Sequence, residues 1–251
     1  MESITSRRNP FLVQVRKLAG SRRERRKAGL FLGEGPKLLE ESLRWGAAVD
    51  TVIAGEEISL PPLSGGVRQI RVPNDVLRTL ADTESPQGVL FLCRLPDVRL
   101  PEQMTGQRYL VLDGVQDPGN MGTIWRTADA FGADGLILTG SCVDPFSPKT
   151  VRATMGACFR LPVWETEPDE LVGRMRLAGI PLYATALCAD ATDLRGAELN
   201  RAAVVVGSEG HGVSEYVLNA CAGTLKIPMR DRCESLNAAV AAAVVLWEMI
   251  R

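Results

Sequence analysis

Three short segments in the second half of the chain combine glycines or other small residues with polar side chains. They span residues 113–126, 207–212 and 227–237. Each begins where a short apolar run ends, and such runs are typical of buried strands. Glycines allow a backbone to approach another group closely, and the polar side chains beside them can bind a ligand. Because ligands of parallel α/β sheets bind outside the carboxyl ends of the strands, the three segments are candidates for one site.

The second of these segments has the sequence GSEGHG and excludes two common nucleotide sites. Its glycine spacing is G-x-x-G-x-G, whereas the dinucleotide fingerprint is G-x-G-x-x-G followed by an acidic ribose-binding residue about twenty positions later. The chain also lacks the phosphate-loop pattern G-x-x-x-x-G-K-[ST]. A dinucleotide-dependent oxidoreductase and a P-loop nucleotidase are therefore disfavoured.

The third segment predicts the start of a C-terminal helix. Pro228 ends the preceding strand, because proline has no N–H to donate to a sheet. After a charged loop, Ser235, Leu236 and Asn237 open a run that consists almost entirely of alanine and valine. Ser and Asn can cap the free N–H groups of a helix start. A capping role and a ligand-binding role are compatible, because the same N–H groups also bind ligands.

Residues that bind metals are sparse. His211 is the only histidine, and no two of the six cysteines form a C-x-x-C pair. Zinc sites of the usual cysteine and histidine kind are therefore not expected. The simplest interpretation is that the thiols are reduced and mostly buried. They belong to Cys93, Cys142, Cys158, Cys188, Cys221 and Cys233.

The composition is that of a globular protein, with 45% hydrophobic and 24% charged residues in a chain of 251. No apolar run reaches the ~20 residues that span a bilayer. The N-terminal region lacks the apolar core of a signal peptide. We therefore expect a cytoplasmic protein without a membrane partner.

The net charge of −1 hides an asymmetry along the chain. Residues 1–30 contain nine Lys and Arg residues but only two glutamates, so the remaining chain is acidic. A basic block of this kind is either a solvated helix face or a surface for a polyanion such as RNA, since Lys and Arg displace its counterions. Charge alone leaves both possibilities open.

Alternating apolar runs and helical patterns predict an α/β protein. Residues 1–95 are predicted to form a small α/β domain, and the proline-containing residues 96–108 a linker. From residue 109 onward the strand–helix alternation predicts a mostly parallel sheet with helices on both faces. This second domain, residues 109–251, contains all three polar segments.

The three segments resemble the three motifs of the SpoU/TrmH family of RNA ribose 2′-O-methyltransferases, within the SPOUT superfamily. Residues 113–128 match the first motif and 205–212 the second. The third is matched by Ile227-Pro228-Met229 together with Ser235-Leu236-Asn237. Residues 1–95 resemble, more weakly, the small RNA-binding domain that precedes many members. Ala238 departs from the β-branched residue usual at its position, with little expected consequence.

The resemblance implies a parallel α/β domain whose C-terminal segment forms a trefoil knot, a homodimer with the active site at the subunit boundary, and S-adenosylmethionine as cofactor. It places Gly207, Ile227, Met229 and Leu236 in the cofactor pocket, largely through backbone groups. Thr185, at the end of an earlier predicted strand, is a weaker candidate for this pocket. The sulfonium of this cofactor is an activated methyl donor, so the reaction needs no metal.

The resemblance also implies that Asn120, Arg126, Glu209, Ser235 and Asn237 serve the reaction. Arginine has a pKa above ~12 and is a poor base, so a role in holding the RNA phosphate and ribose bidentately is preferred for Arg126. The plain alternative for Arg126 is a salt bridge on a helix surface. Glu209 would orient Arg126 or a substrate hydroxyl. His211 lies in the glycine loop, but a direct role for it is the less favoured interpretation.

The expected function is therefore S-adenosylmethionine-dependent methylation of a ribose 2′-hydroxyl in RNA. Ribosomal RNA is the first choice of substrate and transfer RNA the second. The alternative is a non-catalytic RNA-binding or ribosome-assembly protein of the same fold. The presence of Arg126, Glu209, Ser235 and Asn237 favours the enzyme.

Overall fold

A computed structural model describes residues 2–188, 190–230 and 235–251. The chain forms two compact units. One contains Met1–Pro96 with Asp144–Arg160, and the other contains Asp97–Val143 with Leu161–Arg251. The second unit is therefore interrupted by a segment that belongs to the first.

Helices and strands alternate through most of the chain. Up to residue 96 they are β1 (Glu2–Ser3), α1 (Pro10–Gly20), α2 (Arg22–Ala28), β2 (Leu30–Glu34), α3 (Pro36–Arg44), β3 (Val49–Gly55), β4 (Arg68–Val72), α4 (Asn74–Arg78) and β5 (Val89–Arg94). Beyond it they are β6 (Arg108–Asp113), α5 (Pro118–Ala130), β7 (Gly135–Thr139), α6 (Pro148–Ala153), β8 (Val163–Glu165), α7 (Pro168–Leu177), β9 (Leu182–Thr185), β10 (Thr192–Asp193), β11 (Ala202–Gly207), α8 (Glu215–Ala220), β12 (Gly223–Lys226) and α9 (Ala238–Ile250). Short 3-10 helices cover Ala157–Phe159 and Leu194–Gly196.

The first unit is built on a five-stranded mixed sheet with the order β1-β4-β3-β5-β2. β5 is antiparallel to both β2 and β3, whereas β4 is parallel to β1 and β3. The core of this unit buries an apolar stripe of α1 that consists of Leu12, Val15 and Leu18. Its spacing of three residues places these side chains on one helix face.

The basic N-terminal block forms two helices rather than one continuous face. Ser21 ends α1 and caps α2 by accepting the N–H of Glu24. Arg25 of α2 is 4% exposed, so it belongs neither to a solvated face nor to a surface for a polyanion, the two possibilities left open for the basic block. Its guanidinium lies 2.5 Å from the Asp144 carboxylate and also donates to the carbonyl oxygens of Leu18 and Ala19.

Aromatic rings pack the segment Asp144–Arg160, which interrupts the second unit, against the sheet of the first unit. The rings of Phe31 and Phe146 lie 5.0 Å apart, and those of Phe91 and Phe159 lie 6.5 Å apart. Arg160 adds a 2.6 Å ion pair with Glu41. These contacts explain why residues 144–160, which the sequence placed in the second domain, belong to the first compact unit.

The second unit is built on a seven-stranded sheet with the order β10-β12-β9-β11-β6-β7-β8, and all its strand pairs are parallel. Helices α7 and α8 contribute Leu171, Met175 and Val217 to a core cluster on one sheet face. Helix α9 packs against α5, β6 and β11. The predicted α/β fold with a parallel sheet in the C-terminal domain and a smaller α/β domain in front is confirmed.

The predicted linker and the predicted knot both concern segments that connect regular elements. Residues 96–108 were predicted as a linker, but from Asp97 onward they belong to the second unit. There Glu165 donates its N–H to the Val98 carbonyl, and both Val98 and Leu100 are buried. The predicted knot depends on the path of the chain through residues 231–234, which lie outside the described residues. The domain boundaries proposed from the sequence stay a prediction.

No helix in the described part of the chain is both long enough and apolar enough to cross a membrane. The expected cytoplasmic location stays a prediction.

The buried ion pair gives a stability test. Replacing Arg25 by methionine leaves the carboxylate of Asp144, which is only 9% exposed, without its partner. We expect the free energy of unfolding, measured by urea denaturation with circular dichroism, to fall by about 3–5 kcal/mol. Arg7→Met breaks an ion pair with Asp75 in which the two side chains are 57% and 63% exposed. This substitution should lower the free energy of unfolding by less than about 1 kcal/mol. An equal cost of the two substitutions would contradict the structural importance of the buried pair.

Candidate active site

The three polar segments meet at the carboxyl edge of the parallel sheet. Asn237 donates from Nδ2 to Oδ1 of Asn120 over 3.1 Å. Asn120 in turn donates from its own Nδ2 to Oε1 of Glu209. One residue from each segment thus joins a continuous chain of hydrogen bonds, although 89 and 117 positions separate Asn120 from its two partners along the sequence.

Helix starts fix two members of this chain. Asp117 caps α5 by accepting the N–H of Asn120 over 2.7 Å. Asn237 caps α9, since its Oδ1 accepts the N–H groups of Ala239 and Val240 at 2.9 and 3.3 Å. Asn237 therefore uses its amide oxygen as a helix cap and its amide nitrogen as a donor to Asn120. The sequence predicted that Asn237 could cap the helix and also serve the site, and the structure shows the cap together with the contact to Asn120.

A tight loop after β11 presents Glu209. Ser208 and Gly212 exchange two backbone hydrogen bonds of 3.1 and 2.9 Å, which close the loop. A Cβ on Gly207 would lie 2.0 Å from the carbonyl carbon of Gly212 and 2.2 Å from the nitrogen of Val213. Gly207 is therefore required because the returning backbone of its own loop fills the space of a side chain.

Asp113, the last residue of β6, anchors the far end of this loop. It is 4% exposed, and its Oδ2 accepts the N–H of Ser214 over 2.7 Å. Gly140 leaves room for the same carboxylate, because a Cβ there would lie 2.7 Å from its Oδ1. The sequence placed Asp113 only at the start of the first motif. An acidic residue that ends a buried apolar strand was the available signal for this anchoring role.

A cavity of about 270 Å³ opens beside the hydrogen-bond chain. All five residues predicted to bind the cofactor line it, and so do Glu209 and Ser235. The five are Thr185, Gly207, Ile227, Met229 and Leu236. They come from the ends of β9 and β11, from the residues after β12 and from the approach to α9. The sequence did not identify Leu187, Ser208 or Ala241, which also line the cavity.

The chemistry of the cavity lining suits S-adenosylmethionine, the cofactor that the sequence implies. Leu225, Ile227, Met229 and Leu236 provide an apolar surface suited to a flat heterocycle. Glu209 is the one charged side chain among the lining residues that the structure describes, and a carboxylate favours a ligand that carries positive charge. The Thr185 hydroxyl donates to the carbonyl of Val205 over 3.0 Å, so this side chain serves the sheet. The residues present fit a cofactor with an apolar ring and a cationic centre.

Arg126 and His211 lie outside the hydrogen-bond chain. Arg126 is exposed on α5, six residues and therefore ~9 Å along the helix from Asn120. Within the described residues it makes no hydrogen bond or ion pair, so the surface salt bridge considered as its alternative role is absent there. Exposed His211 donates its backbone N–H to Ser208 Oγ over 3.3 Å. Ser235 is exposed at the cavity and does not join the chain of hydrogen bonds.

Among the described residues, no cysteine lines the cavity or joins the chain of hydrogen bonds. The five cysteines among the described residues form no disulfide, and the sixth, Cys233, lies outside the described residues. Burial raises the pKa of the Cys142 thiol to about 11, so it stays protonated at neutral pH. The described residues contain no cluster of three or more His, Cys, Asp or Glu side chains placed to hold a metal ion.

Comparison with known proteins decides the family. Residues 107–247 match the family described as SpoU rRNA Methylase, which is more than half of the chain. The chain belongs to the SpoU rRNA methylase family. Residues 9–90 match a second description, the MRM3-like substrate binding domain. The resemblance of the three motifs and the weaker resemblance of the front domain are therefore both confirmed.

Relatives within the SpoU family extend over the whole chain. The 23S rRNA (guanosine(2553)-2′-O)-methyltransferase RlmP of Bacillus subtilis is 34% identical over 99% of both chains. The 23S rRNA (uridine(2479)-2′-O)-methyltransferase of Streptomyces viridochromogenes is also 34% identical, over 99% of this chain and 91% of its own. The crystal structure of an AdoMet-bound rRNA methyltransferase from Sinorhizobium meliloti is 32% identical and covers 99% of this chain and 97% of its own, with a TM-score of 0.88.

The two contacts of Asn237 can be separated by substitution. Asn237→Ala removes the cap of α9 and should lower the free energy of unfolding by ~1 kcal/mol, or about 2–4 °C in Tm. Asn237→Asp keeps an acceptor at the cap but loses the donor to Asn120, so its Tm should stay within ~1 °C of the wild type. Thermal unfolding followed by circular dichroism measures both. Equal losses for Ala and Asp would show that the cap is not the stabilising contact.

Proposed function

We propose that this protein transfers the methyl group of S-adenosylmethionine to a ribose 2′-hydroxyl of ribosomal RNA. The observation that carries the proposal is the chain Asn237–Asn120–Glu209, which joins all three motif segments at the mouth of a cavity lined by the predicted cofactor residues. Family membership supports the reaction class. Intact motif side chains and their mutual contacts support an enzyme over the non-catalytic alternative.

The bound cofactor supplies an activated methyl group on a sulfonium centre. The protein must hold a ribose oxygen in line with that methyl group and assist loss of its proton. Glu209 is suited to orient the hydroxyl. Asn120 fixes one of its carboxylate oxygens, and within the described residues the second oxygen has no hydrogen-bond partner. That oxygen can accept a hydrogen bond from the substrate.

Arg126 is suited to bind the RNA backbone. It is exposed and has no partner among the described residues, so its five N–H donors are available. A guanidinium matches a phosphate or a ribose bidentately, and its high pKa makes proton abstraction by this group unfavourable. We propose that Arg126 holds the phosphate and ribose of the target nucleotide.

Ribosomal RNA is proposed as the substrate because the two relatives with 34% identity are both named as 23S rRNA 2′-O-methyltransferases. Their names differ in the base, guanosine in one and uridine in the other. Both names give the 2′-oxygen as the methylated atom, which supports a reaction at the ribose whichever base it carries. Transfer RNA remains the second choice, since another relative is named only as a tRNA/rRNA methyltransferase.

The reaction is tested with labelled S-adenosylmethionine and total RNA from a strain that lacks this protein. The expected product is label in ribosomal RNA at a linkage that resists alkaline hydrolysis, because a methylated 2′-oxygen cannot attack the neighbouring phosphate. Label in transfer RNA would move the substrate to the second choice. Absence of label in every RNA, with the cofactor bound, would overturn the proposed reaction.

The role of Arg126 is tested by Arg126→Ala in the same assay. We expect kcat/KM for RNA to fall roughly a hundredfold, the value of losing a charged bidentate contact, while calorimetry shows cofactor affinity within several-fold of the wild type. Arg176→Ala is the matched control, because Arg176 is an exposed helical arginine of α7 in the same unit. Equal loss of activity and cofactor affinity in Arg126→Ala would sink the proposed role.

We also propose a homodimer that forms through α9. Val240, Trp247 and Ile250 are 50%, 56% and 39% exposed, and their spacing places them on one helix face with the half-buried Val244. Phe131, the residue after α5, packs edge-on against Trp247 with ring centroids 5.8 Å apart. An uncharged stripe of this kind suits a second copy of the same helix better than RNA. It begins three residues after the cap of α9, so a second subunit on this helix would lie beside the site.

The dimer is tested by Trp247→Glu. Sedimentation at low micromolar concentration should show a dimer for the wild type and a monomer for this variant, because a buried unpaired carboxylate is costly. Leu177→Glu is the control, since Leu177 is an apolar residue of α7 that is 83% exposed outside the stripe. A wild-type monomer, or equal dissociation by both variants, would contradict the proposal.

A further inference from the structure

The first unit contains a second cavity, of about 230 Å³, that shares no residue with the candidate active site. It is lined by the junction of β2 and α3, by the loop before β5, and by residues in and after α6. Its lining includes Glu34, Lys37, Glu41, Ser85, Gln87, Arg152 and Met155. The Glu41 carboxylate is already paired with Arg160 over 2.6 Å. None of the cofactor, ribose and dimer contacts proposed above involves a residue of this cavity.

The residues that line the cavity come from both of the matched regions. Glu34, Lys37, Ser85 and Gln87 lie in the substrate-binding-domain match, residues 9–90, whereas Arg152 and Met155 lie in the SpoU match, residues 107–247. All of them belong to the first compact unit. Neither matched region contains the whole wall of the cavity.

One side of the cavity is held rigid by charged groups that already have partners. The Glu34 side chain is 6% exposed and accepts hydrogen bonds from the Thr83 hydroxyl and the Asp82 N–H. Nη1 of Arg152 lies 3.1 Å from an Asp82 carboxylate oxygen and 3.9 Å from one of Glu34. These interactions fix the loop that follows Asp82 and give the cavity a defined shape.

Lys37, Ser85 and Gln87 are exposed and have no hydrogen-bond or ion-pair partner within the described residues. They offer a cation, a hydroxyl and an amide to a ligand. An ammonium group binds a phosphate, and hydroxyl and amide groups can read the edge of an unpaired base. The three available side chains therefore match the parts of one nucleotide.

Met155 carries backbone strain at the cavity wall. Its φ is 51°, in the left-handed region, where a residue with a side chain is disfavoured and glycine or asparagine usually ends a helix. Its side chain is nevertheless a large apolar group, 47% exposed. Strained residues of this kind cluster at ligand sites, and a methionine thioether packs well against an aromatic ring. A nucleobase is such a ring.

The charge distribution favours a polyanion on this unit. The first unit contains eighteen Lys and Arg residues against twelve Asp and Glu, whereas the second contains eleven against eighteen. The positive excess attracts RNA to the unit that holds this cavity.

We propose that this cavity binds one unpaired nucleotide of the substrate RNA, with its phosphate at Lys37 and its base against Met155. The proposal rests on the proposed function, because it assigns part of the RNA recognition that precedes methyl transfer. Only an unpaired base can enter, since the base edges of a duplex are engaged with each other. The cavity thereby selects RNA that contains an unpaired loop or bulge.

The test uses the full chain and protein-free ribosomal RNA from a strain that lacks this protein. Lys37→Gln should raise KM for RNA roughly tenfold and Met155→Gly roughly fivefold, with the loss falling on KM rather than on kcat. Lys149→Gln is the matched control, because Lys149 is an exposed lysine of α6 in the same unit and does not line the cavity. Its KM should stay within about twofold of the wild type. A rise for Lys37→Gln no larger than for Lys149→Gln, or a wild-type KM for Met155→Gly, would overturn the cavity assignment.

A binding measurement separates this proposal from the proposed function. Fluorescence anisotropy compares a labelled RNA hairpin with an unpaired loop against a fully paired duplex of equal length. The wild type should prefer the hairpin, and Lys37→Gln and Met155→Gly should lose that preference. Methyl transfer by the wild type without any hairpin preference would overturn the cavity proposal and leave the reaction standing. Hairpin preference that depends on both residues, without methyl transfer to any RNA, would overturn the reaction and support the cavity.

Discussion

The hydrogen bonds of the Asn120 side chain hold the candidate active site together. A carboxamide has one acceptor and one donor end, and here the acceptor end receives Asn237 while the donor end reaches Glu209. The two partners therefore fix which end of the Asn120 amide is the oxygen and which is the nitrogen. The residues that this amide connects come from segments far apart in sequence, and the parallel sheet makes the meeting possible. In the register of that sheet Gly207 pairs with Asp113, so the loops after β6 and β11 start side by side.

Helix caps and glycines both stabilise the local backbone and position the side chains of the candidate site. Asp117 and Asn237 satisfy N–H groups at the starts of α5 and α9, and thereby also set where Asn120 and the amide of Asn237 point. Gly207 admits the backbone of its own loop, and the loop then presents Glu209 beside the cavity. The atoms that stabilise these helix starts and this loop thus also position the side chains of the candidate site. A substitution in these segments has to be interpreted with both effects in mind.

Much of the second unit could be predicted because its signals are local. Apolar runs mark the strands. Because parallel strands share a carboxyl edge, the polar segments and the residues predicted to bind the cofactor could be expected at one place. The predicted cofactor residues line one cavity, and Asn120 joins the three segments by hydrogen bonds. Contacts that bridge distant parts of the chain left no such signal. Arg25 looks like any arginine of a basic helix, and nothing near it indicates that Asp144 will bury it. The same holds for Phe146 and Phe159, whose partners lie more than fifty residues away, and for the packing of Val98 and Leu100 in a proline-rich stretch.

The return of residues 144–160 to the first unit means that the chain passes between the two units three times rather than once. A front domain expressed alone as residues 1–96 would lack the partner of Arg25 and the rings that cover Phe31 and Phe91. Such a fragment would expose apolar surface and a buried cation. Exchange of front domains between related genes by a single recombination event would have the same defect. The substrate-binding domain of this protein is thus not a freely portable module, and its evolution is coupled to a short piece of sequence inside the methyltransferase region.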